Sequence, residues 1–242
     1  DDVALENSLD HLLRRQSVLR TRFISLNGEA AQQVMPPMLI QLKRIDCEGW
    51  SDEEIQDEVQ RLIQEPFDLT KAPLLRTYLL VCEDEEFVLM MMMHHIISDG
   101  WSAGVLTQEL VENYQAAHLG QPVSVQPLAL HYADFSEWQR QESTLEVLTA
   151  QRDYWQERLK GMPTVINLPT DRPRPAVQTF NGAVTRFTLS TEATDHLNAL
   201  CHQHGVTLFM LLLGAWQVVL SRHTQQQDVC VGTAIAGRNR RE

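Results

Sequence analysis

An α/β fold built on a mixed sheet is what this sequence predicts, on three observations. An uninterrupted apolar run at 87–93 stops at two adjacent histidines and leads through a short turn into a helix-forming stretch. Residues 74–82 and 86–93 are two β-forming runs joined by acidic turn residues, the pattern of an antiparallel hairpin. Elsewhere strands and helices intermix without a regular strand–helix–strand alternation, which favours an α/β sandwich over a purely parallel sheet.

The elements follow in order. Leu5, Leu9, Leu12 and Leu13 recur at helical spacing, so residues 3–17 form an amphipathic helix, and the chain opens already inside it. Arg15 to Phe23 runs into a strand, and Asn27-Gly28 supplies a hairpin turn before a return strand at 31–35. Pro36-Pro37 breaks the chain; Leu39, Ile40, Leu42 and Ile45 suggest the next strand. Ser51 with Glu54 three residues on predicts a capping box, opening a helix that runs to Gln64 and stops before Pro66. The strand at 87–93 reads as covered on both faces. A helix over 102–119 follows, with Ser102 as its N-cap and Gly120 past its end. After a connection at 121–127 come helices at 131–142 and 145–160. Clustered prolines at 168–175 fit neither helix nor strand and divide the chain into 1–167 and 168–242. Beyond them the pattern predicts a strand (180–189), a helix (191–204), an apolar helix (207–222) and a strand (228–236).

Composition narrows the function. Length allows one large domain or two modest ones, and 43% hydrophobic residues suffice for a real core. Twenty basic against 32 acidic residues give a net charge of −12, which argues against nucleic acid or an anionic membrane as partner. Cys47, Cys82, Cys201 and Cys230 are far apart and form no CxxC, so a reduced, cytoplasmic setting is expected. The chain begins with an acidic segment rather than a secretory leader, and its longest apolar helix is too short to span a bilayer.

The chemistry concentrates at His94-His95-Ile96-Ile97-Ser98-Asp99-Gly100. Neighbouring side chains on a strand point to opposite faces, so one histidine can enter a cavity while the other packs or caps. Gly100 allows a tight turn or close approach of a ligand. This heptapeptide resembles the HHxxxDG motif of the condensation domains of nonribosomal peptide synthetases, and an HxxxD core recurs across chloramphenicol-acetyltransferase-like acyltransferases. Arg15 to Phe23 is similar to that family's RHExLRTxF segment, departing at Gln16 and Ser17. Tyr132 to Trp138 resembles YxDYxxW, and Val231 to Arg238 resembles IGTPVAGR with Ala234 in place of proline. The four segments occur in the family's order. The form HHIISDGWS is most similar to the subtype joining two L-configured residues; the related cyclisation domains carry acids where this chain has both histidines.

The resemblance implies a two-lobed, V-shaped α/β sandwich with a tunnel between the lobes. Of this, the chain would hold most of the first lobe and only the beginning of the second, so alone it is expected to be inactive. The implied reaction is amide formation between an acyl or peptidyl thioester on an upstream peptidyl carrier domain and the amine of an aminoacyl thioester on a downstream one. Both substrates ride on phosphopantetheine, with an adenylation domain as neighbour and no intrinsic cofactor or metal. The implied catalytic residue is His95, as a base or as a positioner of the amine. His94 is structural beside it, Asp99 pairs with Arg15 to shape the loop, and Gly100, Trp101 and Ser102 line the phosphopantetheine channel.

Other readings of these residues are weaker. Gly100-Trp101-Ser102-Ala103-Gly104 fits the G-x-S-x-G elbow of serine hydrolases and thioesterases, with Ser102 as nucleophile, but six residues intervene between strand and elbow and no HGGG-type segment appears. A non-catalytic fragment that only docks carrier domains is a third reading. Cys201, His202 and His204 close a helix, where histidines meet the negative end of its dipole, and do not form a metal cluster. Met90 to Met93 read as core filler, Trp138 and Trp155 as core, and Arg20 as a surface residue.

Overall fold

The computed structural model describes residues 1–83, 86–123, 126–179 and 182–238, the side chains of 142–144 excepted. Helix α1 (Asp2–Arg15) forms where expected, with Leu9, Leu12 and Leu13 fully buried along one face. A 3-10 turn (Ser17–Arg20) leads into β1 (Thr21–Leu26), which pairs antiparallel with β2 (Glu29–Val34). Asn27 and Gly28 both adopt positive φ (55° and 86°), so the hairpin closes through the turn that such a pair predicts. Arg20 is not a surface residue: its guanidinium donates to Leu13 O (2.7 Å), to Arg14 O (3.4 Å) and to Met35 O. It therefore satisfies carbonyls at the end of α1 and ties them to the residue after β2.

Strand β3 (Leu42–Asp46) leads to α2 (Asp52–Gln64), and β4 (Leu75–Glu83) and β5 (Glu86–Met93) follow. Their order is β3-β4-β5, with β3 parallel and β5 antiparallel to β4, so the sheet is mixed as predicted. The expectation that 87–93 is covered on both faces needs correcting. Strand β5 is an edge strand of the described sheet, and Phe87 is 49% exposed. Its second half does alternate: Met91 and Met93 pack on one core cluster, Met90 and Met92 on another. The first cluster joins α1 and β4 to α3 (Gly100–His118) through Leu12, Leu74, Leu106 and Leu110; the second lies between the sheet and α2 around Cys47, Leu62, Tyr78 and Leu80.

The capping box at Ser51 is complete. Glu54 N–H donates to Ser51 Oγ (3.3 Å) and Ser51 N–H to Glu54 Oε2 (2.8 Å). Ser51→Ala is expected to cost about 1 kcal/mol, read as a lower urea midpoint at unchanged slope; an unchanged midpoint would show that the box adds nothing.

Helices α4 (Tyr132–Gln139) and α5 (Glu142–Arg158) follow, and 168–175 has no regular structure. Helix α6 (Thr191–His204) ends at Gly205 in the left-handed region, and α7 (Leu208–Thr224) starts from Thr207, whose hydroxyl accepts from Met210 N–H. The strands expected at 180–189 and 228–236 do not form over the described residues, where 182–189 and 228–236 pair with nothing; 180 and 181 lie outside them. A strand exists only through its ladder, and their alternating pattern finds none here. Trp155 is 57% exposed rather than core, whereas Trp138 is half-buried beside Phe135.

The chain groups into two compact units. One comprises Asp1–Leu148 with the segment from Ala236, the other Thr149–Ile235. No single helix is long and apolar enough to cross a membrane; α6 and α7 meet that length and composition only as a pair bent by 101°.

Candidate active site

The histidine turn is held from both ends. Strand β5 ends at Met93, opposite Leu75, and His94 N–H adds one bond beyond the ladder, to Leu74 O (3.1 Å). The two histidines therefore sit in the turn rather than on the strand, and the turn, not strand alternation, sends them apart. His94 is half-buried and folds back on its own loop: Nδ1 accepts from Ile96 N–H (3.0 Å), and its carbonyl accepts from Ile97 N–H (3.0 Å) and Ser98 Oγ (3.4 Å). His95 is exposed, and its ring meets no hydrogen-bond partner among the described residues. One histidine is thus engaged in structure while its neighbour stands free at the surface.

Asp99 fixes the other end. It is the N-cap of α3, with φ −140° and ψ 179°, and its Oδ1 accepts from Ser102 N–H (2.7 Å) and Ser102 Oγ–H (2.6 Å). The cap is therefore Asp99 and not Ser102, and the helix starts at Gly100. Residues Asp99 and Ser102 are both good cap formers, and composition alone does not rank them.

The expected Asp99–Arg15 pair does not occur. Arg15 Nε lies 3.3 Å from Glu109 Oε1, without a directed hydrogen bond, and Gln16 Nε2 donates to the same carboxylate (3.0 and 3.1 Å). Both therefore tie the end of α1 to α3. The cation at Asp99 is Arg238, whose Nη2 lies 3.2 Å from Asp99 Oδ2 and 3.2 Å from Ser102 Oγ. Its signal was the closing arginine of the 231–238 segment, a position with no assigned partner in sequence. The pair is half-exposed, so it is not the buried charge pair that Arg15 would have made.

The Ser102 hydrogen bonds, with Arg238 adding to them, hold the Asp99 carboxyl down at about 2 against an ordinary 3.8. A depressed carboxyl stabilises the fold above its ordinary pKa, and that contribution is lost as pH falls from 3.8 through about 2. Asp99→Asn keeps a capping oxygen and removes the charge. The melting temperature of wild type should therefore exceed the variant's near neutral pH and converge on it towards pH 2. A constant difference across that window would mean that the charge adds nothing.

Two further residues complete the turn. Ile97 is 5% exposed and packs with Leu74, Leu106 and Leu110, whereas Ile96 is 41% exposed. Gly100 has no positive φ, and a Cβ there would meet nothing within 4 Å, so neither a tight turn nor close packing requires glycine. Trp101 beside it is 61% exposed. Ser102 Oγ is engaged with Asp99 and Arg238 inside the first turn of α3, and no histidine hydrogen-bonds to it among the described residues. That is not the geometry of a hydrolase nucleophile, which must stand free at a strand-to-helix elbow beside its base. Two surface grooves, of about 460 and 490 Å³, lie along β3, and neither is lined by a residue of the histidine turn.

Over residues 1–242 the sequence matches the family model for the condensation domain. A linear gramicidin synthase of Brevibacillus parabrevis is 42% identical over 246 residues, which cover all of this chain and 5% of that synthase. Among solved structures, the SgcC5 protein from Streptomyces globisporus superposes with a TM-score of 0.80 at 26% identity, covering 99% of this chain and 55% of that one. A four-domain nonribosomal peptide synthetase, solved in its holo form with AMP and glycine, gives a TM-score of 0.80 at 25% identity and covers 97% of this chain and 17% of that one. The chain thus spans one-twentieth of the synthase and just over half of SgcC5.

Proposed function

Because the chain belongs to the condensation-domain family, we propose that it works within a multidomain nonribosomal peptide synthetase and helps form an amide bond between two carrier-bound thioesters. The observation that carries this reading is the division of labour in the turn: His94 is engaged with its own loop, and His95 is exposed with a free ring. The family resemblance assigns the chemistry to His95. An unprotonated ring nitrogen accepts a hydrogen bond from the acceptor's amine, which aims the nitrogen lone pair at the donor's thioester carbonyl. As the C–N bond forms, the same nitrogen takes the amine proton; the tetrahedral intermediate then breaks its C–S bond and releases the donor's phosphopantetheine thiol.

In this reading Gly100, Trp101 and Ser102 line the path of the phosphopantetheine arm, and the open space beside Gly100 suits a ligand that approaches closely. Asp99, with Arg238, shapes the loop, as does His94, while Arg15 supports it indirectly through the α1–α3 contact. The partners are an upstream and a downstream peptidyl carrier domain and a neighbouring adenylation domain. Residues 1–167 would form the lobe bearing HHxxxDG and 168–242 a linker and the start of a second lobe. The setting is cytoplasmic.

The test is a single-turnover assay on the full-length protein that contains this sequence, with donor and acceptor carriers loaded through phosphopantetheine. Amide product on the downstream carrier is expected. Free acid released from the donor would replace this reading with a hydrolase, and carrier binding with no turnover would replace it with a docking module.

A further inference from the structure

The imidazole of His94 is held from behind by residues that no motif marks. Phe67 lies in the segment after α2, half-buried against the cluster that contains Leu74. Its ring meets that of His94 edge to face, with centroids 6.1 Å apart and planes at 85°. The guanidinium of Arg76 lies 4.1 Å from the Phe67 ring centroid. Arg76 is itself locked: Nη1 donates to Glu65 O (2.9 Å), Nη2 donates to Pro66 O (2.6 Å), and the Glu65 carboxylate lies 3.6 Å away. The main chain on either side of Phe67 and the strand β4 that bears Arg76 are thus tied together, and the ring between them has little freedom. That ring is what His94 rests on. His94 Nδ1 in turn holds the amide of Ile96, the residue that follows His95.

We propose that Phe67, clamped by Arg76, is a positioning residue for the condensation reaction. It fixes the His94 imidazole, and through the Nδ1 bond to Ile96 it fixes the backbone that presents His95. The inference rests on the function proposed above and adds a device to it. Without the ring, His94 can turn about its side-chain bonds, release Ile96 and let the exposed His95 wander, and small misplacements of a reacting group are costly in rate.

Two variants of the full-length protein test it. Phe67→Leu keeps apolar bulk and removes the ring; Phe67→Tyr keeps the ring. Hydrogen exchange at the Ile96 amide, followed by mass spectrometry without substrate, is expected to be about tenfold faster in Phe67→Leu and unchanged in Phe67→Tyr. In the loaded-carrier assay, kcat should fall about tenfold or more in Phe67→Leu with KM unchanged, and Phe67→Tyr should restore it. Wild-type exchange at Ile96 in Phe67→Leu would overturn the positioning role. Faster exchange with wild-type kcat would overturn its link to catalysis. The exchange measurement needs no turnover, so it distinguishes failure of this device from failure of the proposed function.

Discussion

Replacing His95 with alanine is expected to lower the rate of amide formation by about 10²–10⁴-fold and to leave the melting temperature where it was, because a positioned base contributes about that much to a proton transfer. His95 is exposed, its ring bonds to nothing described, and its backbone lies in a turn whose bonds are made by His94, Leu74 and Ile97. Surface substitutions of this kind stay within about ±0.5 kcal/mol in stability. Two comparisons sharpen the result. His94→Ala removes the acceptor of the Ile96 amide and the ring against Phe67, so it should lose stability and rate together. Ser102→Ala removes the Ser102 Oγ hydrogen bonds to Asp99 and Arg238 while keeping the amide cap, so it should cost about 0.5–1.5 kcal/mol and little rate. If His95→Ala kept wild-type turnover while Ser102→Ala abolished it, the assignment of roles would be reversed and the turn would be no acyl-transfer site.

What sequence could foresee here follows from how far apart the interacting residues lie. The Asn27-Gly28 turn and the Ser51–Glu54 box are settled within a few residues by backbone preference and short-range hydrogen bonds, and both form as read. The methionines at 90–93 alternate between two clusters because a pleated strand leaves them no other choice. The partner of Asp99 is a different kind of fact. Arg15 and Arg238 are both arginines in recognisable segments, and choosing between them needs the third dimension, where Glu109 on α3 has already taken Arg15. The segments at 182–189 and 228–236 carry a β pattern, but a pattern specifies only which side chains would share a face. Pairing decides whether a strand exists, and along these residues it is absent. Likewise nothing in the letters separates Ile96 from Ile97, nor marks Phe67 as the ring against which a histidine 27 positions later leans.

Ile97→Ala is the substitution that should most damage stability and function at once. Ile97 is 5% exposed and belongs to the cluster formed by α1, β4 and α3, so its side chain pins the histidine turn onto the core that also holds Leu74, Leu106 and Leu110. Truncation removes buried methyl and methylene groups and leaves a cavity that the rigid helices beside it close only in part, which costs about 2–5 kcal/mol. Ile97→Val removes one methylene and should cost about 0.5–1.5 kcal/mol. Ile96→Ala, one residue earlier but 41% exposed, should stay within about 0.5 kcal/mol. The turn bears His95 two residues before Ile97, so loosening the anchor also loosens the histidine, and a displacement of about 1 Å in a reacting group can cost about 10²-fold in rate. Urea unfolding of the three variants beside the loaded-carrier assay separates the contributions. The expected order is Ile97→Ala, then Ile97→Val, then Ile96→Ala, in both lost stability and lost rate. A larger loss for Ile96→Ala than for Ile97→Ala would mean that the other isoleucine faces the core, and the turn would have to be rotated accordingly. Stability lost without rate would mean that His95 keeps its place through the His94–Ile96 bond alone, so that the core anchors the fold and the histidine staple sets the geometry of the site.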